Sequence, residues 1–104
     1  MVYNKLVRDK IPEIIKASDQ MAETRLLEEA EYHEELRRKL LEEAAEAATS
    51  DDTSELADVL EVVYALADVA GLSRSELEEL RAKKATERGA FAKQIYLIEV
   101  KEQS

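Results

Sequence analysis

Glu55-Leu-Ala-Asp-Val-Leu-Glu-Val-Val-Tyr-Ala-Leu-Ala-Asp-Val-Ala70 is apolar on almost every side when wound as a helix at about 100° per residue. A helix of that kind is normally buried by its neighbours. It nevertheless carries Glu55 and Asp58 three residues apart, nearly one turn, so both carboxylates project from one side. Upstream, Lys39-Leu-Leu-Glu-Glu-Ala-Ala-Glu46 repeats the device with Glu43 and Glu46. With Leu36 at zero, Leu40, Ala44 and Ala47 fall at about 40°, 80° and 20°, and Glu43 at about 340°, inside that apolar stripe. Glu46 falls at the edge of the stripe, near 280°, and Glu42 points to about 240°, away from it. The polar residues 49–53 read as a turn between the two helices, which makes them antiparallel neighbours with facing carboxylates.

Working outward, the punctuation is sparse and mostly helical. Pro12 suits the first turn of a short helix running to about Ala17, and Ser18 to Gln20 read as a break. Thr24 to Leu27 reads either as a short extended piece or as the front of the long helix, which runs to about Ala48. Gly71 stands where a left-handed cap would end the third helix. Ser73 with Glu76 predicts a capping box for a fourth helix ending before Gly89. Gln94-Ile-Tyr-Leu-Ile-Glu-Val100 is rich in β-branched and aromatic residues and predicts one strand, with Thr24 to Leu27 as its potential partner. The expected fold is therefore all-α: an antiparallel bundle of about four helices with a short C-terminal strand, in one domain over residues 1–104. A chain of this size that carries an all-round apolar helix is expected to complete its burial against another copy, as a homodimer or a tetramer.

An ionised carboxylate set among apolar residues either protonates or acquires a cation. Lys39 stands one turn before Glu43 and offers one positive charge, which is too little for four clustered acids. Hard oxygen ligands point to Mg²⁺, or Mn²⁺ in its place, as the cofactor held by Glu43, Glu46, Glu55 and Asp58. The sequence contains no cysteine, and His33 is its only imidazole, so thiolate sites and disulfides are excluded and zinc has little to draw on. His33 itself reads as a solvated helix residue among Glu31, Glu34 and Glu35.

The net charge of −9 is unevenly spread. Lys5, Arg8 and Lys10 against Asp9 give residues 1–12 a balance of +2, and residues 81–104 stand at +3, which leaves −14 for the middle. So much surface acid argues against duplex nucleic acid as a partner. A small polyanion held between local basic clusters and a metal fits better, because the ion inverts the sign of the acidic site. No apolar run of membrane length, signal peptide or lipidation motif is present, so the expected setting is the cytoplasm, with no membrane partner.

Tyr3-Asn-Lys-Leu-Val-Arg-Asp-Lys-Ile-Pro-Glu-Ile-Ile15, the Lys39 to Glu46 stretch and Glu55-Leu-Ala-Asp-Val-Leu-Glu61 together resemble the all-α nucleoside triphosphate pyrophosphatases. More narrowly they resemble the small MazG-like proteins labelled phosphoribosyl-ATP pyrophosphohydrolase-like, whose ending is similar to Arg88-Gly-Ala-Phe91 and Ile95-Tyr-Leu97 here. The connection at residues 47–54 is short beside many members. The resemblance implies an enzyme that hydrolyses a nucleoside triphosphate, or a related or non-standard nucleotide, between the α and β phosphorus atoms, with a housecleaning role in the nucleotide pool. It implies Glu43, Glu46, Glu55 and Asp58 as catalytic metal ligands. Lys5, Arg8 and Lys10 are implied as phosphate contacts, with Lys84 and Arg88 joining from the other end of the chain. The alternatives are hydrolysis of phosphoribosyl-ATP itself, or a helical module that binds metal and nucleotide without turnover.

Overall fold

The computed structural model describes residues 1–102. Among them the chain forms four helices, α1 (Ile11–Ala17), α2 (Glu29–Thr49), α3 (Ser54–Val69) and α4 (Arg74–Arg88). It divides into two compact units, Met1–Leu72 with α1 to α3 and a second unit beginning at Ser73. No described helix is long and apolar enough to cross a membrane.

Within the first unit the helix packing is that of α2 on α3. Their connection is built by short polar side chains that satisfy backbone donors locally. The Asp52 N–H donates to Ser50 Oγ at 3.0 Å, and the Ser54 N–H donates to Asp52 Oδ1 at 2.9 Å. That backbone donor, and then the Ser54 hydroxyl, hold the Asp52 carboxyl below its ordinary pKa. A connection this short returns α3 antiparallel along α2. Leu36 of α2 and Val62 and Ala67 of α3 form the buried apolar core, and Glu43 is the buried charged residue beside them.

The ends of the elements follow local chemistry. Pro12 lies in the first turn of α1, where its missing N–H costs nothing, and Asp19 at φ 61° breaks the chain beyond it. The stretch from Met21 to Glu28 is irregular, so Thr24 to Leu27 is neither strand nor helix. It is tied to the start of α2 by Arg25, whose two terminal nitrogens donate to Glu31 at 2.6 and 3.1 Å. At the end of α3, Gly71 adopts φ 77°. Its N–H donates to the Asp68 carbonyl at 3.0 Å, and the Leu72 N–H donates to Ala67 at 2.9 Å. This Schellman pair satisfies two of the last carbonyls, and the left-handed φ is one that a side chain would strain.

In the second unit, Ser73 and Glu76 form the reciprocal capping box that the sequence predicts for α4. The expected strand at Gln94 to Val100 is absent: these residues are irregular, and their apolar side chains are exposed. The physical reason is that Ile95, Tyr96, Ile98 and Val100 favour a pleated surface only when a neighbouring strand supplies the ladder. Thr24 to Leu27, the partner that the sequence offered, is itself irregular.

The capping box makes α4 sensitive to acid. The Ser73 backbone N–H, and then its hydroxyl, hold the Glu76 carboxyl below its ordinary pKa. A lowered folded-state pKa contributes stability above the unfolded value, about 4.3, that is lost as the pH falls through the folded value. Replacing Ser73 by Ala should cost about 1 kcal/mol of helix stability and raise the Glu76 titration only in part, because the backbone N–H at position 73, the larger cause of the lowering, remains. NMR titration of the Glu76 carboxyl carbon, with circular dichroism for helicity, checks both parts.

Candidate metal centre

Glu43 is fixed by the middle of α2, on the side that packs against α3, and is 8% exposed. Glu55 lies in the first turn of α3 and Asp58 one turn later, both half-buried. The hairpin brings the three together: one carboxylate oxygen from each lies within 4.8 Å of the other two. The oxygen shell of Mg²⁺ is about 4.2 Å across, twice its metal–oxygen distance, and that of Ca²⁺ about 5 Å. Neighbouring oxygens around octahedral Mg²⁺ stand closer, about 3 Å apart, so side-chain rotations would have to draw the three carboxylates together to share one ion.

Two basic residues partly balance the charge. Lys39, one turn before Glu43, places Nζ 3.3 Å from Glu43 Oε1 and 3.6 Å from Glu42 Oε1, with its side chain only 17% exposed. Arg8 reaches across from the N-terminal segment and donates from Nη2 to Asp58 Oδ1 at 2.6 Å. Glu55 has no cation within ion-pair distance among the described residues. Burial, followed by repulsion from Glu46, Asp58, Glu43 and Asp52, raises its carboxyl pKa. A raised pKa in the folded state means that ionised Glu55 weighs against folding at neutral pH, a burden relieved as the pH falls through that value. A bound divalent cation would relieve it without protonation.

The other residues singled out from sequence are more dispersed. Glu46 is exposed and its carboxylate is outside the three-oxygen cluster, although its charge reaches Glu55. Lys5 is exposed, with Nζ 5.6 Å from the centre of the Tyr3 ring. Lys10 is the exposed N-cap of α1. Lys84 and Arg88 are exposed on α4, in the second unit. His33 is half-buried rather than fully solvated. The ion pair between Arg8 and Asp58 is the feature that sequence reasoning missed. Its partners are 50 residues apart, and the opposite charges of the N-terminal segment and the middle of the chain were the only signal for it. No protein-family model, curated protein or solved structure matches the chain, so the site is read from its own chemistry.

If the cluster holds a divalent ion, Glu55→Gln acts in opposite directions with and without it. The variant should melt at a higher temperature than the parent in chelator, because an unpaired charge has gone. It should also lose most of the stabilisation that Mn²⁺ confers. An ion at 100 times its dissociation constant adds about 2.7 kcal/mol, roughly 10 °C or more for a chain of this size. Thermal melts of both proteins with and without Mn²⁺ decide the matter, and equal Mn²⁺ shifts would count against Glu55 as a ligand.

Proposed function

We propose that this chain is a Mg²⁺-dependent nucleoside triphosphate pyrophosphohydrolase, acting on a standard or non-standard nucleotide and releasing the monophosphate and pyrophosphate. The observation that carries this reading is the convergence of Glu43, Glu55 and Asp58 from two helices, Glu43 buried, with one carboxylate oxygen of each within 4.8 Å of the others. The resemblance of the Tyr3 to Ile15, Lys39 to Glu46 and Glu55 to Glu61 stretches supports the choice of reaction. A divalent ion at such a site offsets the charge that develops on phosphate oxygens as water attacks the α phosphorus and the bond to the bridging oxygen breaks. The chain's own part is to hold that ion through Glu43, Glu55 and Asp58 and to position the water. Glu46, whose charge is felt at Glu55 but which stands outside the cluster, is a carboxylate suited to orienting the water and accepting its proton. Arg8 supplies a guanidinium next to the cluster, suited to a phosphate.

The test is product analysis. Purified protein with Mg²⁺ and each ribo- and deoxyribonucleoside triphosphate should give monophosphate and pyrophosphate, in amounts abolished by chelation. Diphosphate and orthophosphate would be the wrong products. Glu43→Ala and Asp58→Ala should each fall below about a tenth of the parental rate, since such ions supply several kcal/mol of barrier lowering. A complete absence of product, with tight nucleotide binding by calorimetry, would replace the enzyme with a binding module.

The working form in this reading is a homodimer or a tetramer. Leu56 and Leu60 of α3 remain 63% and 47% exposed, and Leu41 of α2 73%, in a unit whose buried apolar residues are Leu36, Val62 and Ala67. Apolar surface of that kind on a small folded unit marks an association site. Light scattering coupled to size exclusion should give at least twice the 11.8 kDa chain mass, and Leu56→Glu with Leu60→Glu should return it toward one. A parent protein that is monomeric at micromolar concentration would overturn the assembly.

A further inference from the structure

Three carboxylates, with Glu42 sharing Lys39 beside them, face two basic heads, so the ion-free cluster carries an excess of negative charge. A divalent ion that takes Glu43 and Asp58 as ligands competes with the basic groups already on those carboxylates. The two groups are held very differently. Lys39 is on the same helix as Glu43, one turn away, and its side chain is largely covered. It also keeps a second acid, Glu42, within reach.

Arg8 precedes α1 and comes from a segment with no regular structure. Its main chain is fixed, because the Ile11 N–H donates to the Arg8 carbonyl at 3.1 Å. Its side chain is 55% exposed and meets Asp58, itself 38% exposed, through one nitrogen rather than both. An exposed, single-point ion pair is a weak one. The Asp58 oxygen belongs to the carboxylate that the cluster needs for an ion.

We propose that Arg8 is the counter-cation of the ion-free cluster and that a divalent ion displaces it from Asp58. This exchange rests on the metal-site reading given above. Lys39 stays on Glu43 throughout. The freed guanidinium, still anchored by its backbone turn, then stands beside the ion as a donor for an anionic ligand. Arg8 thus serves the same site twice, first as a placeholder for the ion and then as a partner for the anion that the ion brings.

The experiment compares Mn²⁺ affinity, by calorimetry in the absence of nucleotide, for the parent, Arg8→Gln, Lys16→Gln and Glu43→Gln. Lys16, in the last turn of α1, removes the same charge from the same part of the chain without touching the cluster. Loss of the competitor should tighten Mn²⁺ binding by about two- to fivefold in Arg8→Gln, the range expected from releasing an exposed ion pair, with a smaller change in Lys16→Gln. In the parent, diamagnetic Mg²⁺ should shift the Arg8 guanidinium ¹⁵N signals in NMR toward those of a free arginine. If Glu43→Gln abolishes Mn²⁺ binding while Arg8→Gln binds no more tightly than Lys16→Gln and the Arg8 signals stay put, the exchange is wrong and the metal site survives. If the parent binds no Mn²⁺, or Glu43→Gln binds it equally well, the metal-site reading fails and the exchange with it.

Discussion

The connection at residues 50–53 is the constraint on which the first unit depends. It is short enough to leave α3 no course but back along α2, and it is closed by the Asp52 and Ser54 backbone N–H groups donating to the Ser50 and Asp52 side chains rather than by burial. That return sets Glu43 opposite the first two turns of α3 and Leu36 opposite its later turns, where Val62 and Ala67 lie. The apolar contact and the acidic cluster are therefore two stretches of one seam. Packing in the far half holds together like charges in the half near the turn.

That arrangement explains the uneven treatment of the acids. Glu43 is buried because it occupies the apolar stripe of α2, and Lys39 beneath it makes this tolerable. Asp58 meets a cation from outside the hairpin, whereas Glu55, with none at ion-pair distance among the described residues, is pushed by burial and then by its acidic neighbours to hold its proton more firmly. The seam therefore contains more charge than its packing requires, and the surplus falls on Glu55.

Much of this was legible in the sequence because the decisive signals are local. Gly71, the Ser73 and Glu76 pair and Pro12 act on backbone groups within a few residues of themselves, so their consequences could be read without knowing the fold. The opposition of Glu43 to Glu55 and Asp58 followed from a short turn and helical spacing. What could not be read depended on distant partners. Gln94 to Val100 has the composition of a strand, but a strand exists only with a neighbour. Arg8 has no periodic relation to Asp58, and charge balance alone does not choose among the acids of α2 and α3. Glu46, at the edge of its stripe, was placed with the ligands by spacing and lies exposed outside the three-oxygen cluster.

The position of the cluster near the turn also bears on how fast the hairpin forms. Contacts between helices adjacent in the chain are short-range, and proteins dominated by such contacts fold in microseconds to milliseconds. A folding route that closes residues 50–53 first would bring the carboxylates together before the farther part of the seam, at Leu36 and Ala67, has zipped. On that route their repulsion would already be present at the folding transition state and would slow folding more than it hastens unfolding. In a chevron experiment such a route would show the neutralisation of Glu55 mainly in the refolding arm, so that like charges gathered at the turn would set the tempo at which the hairpin assembles.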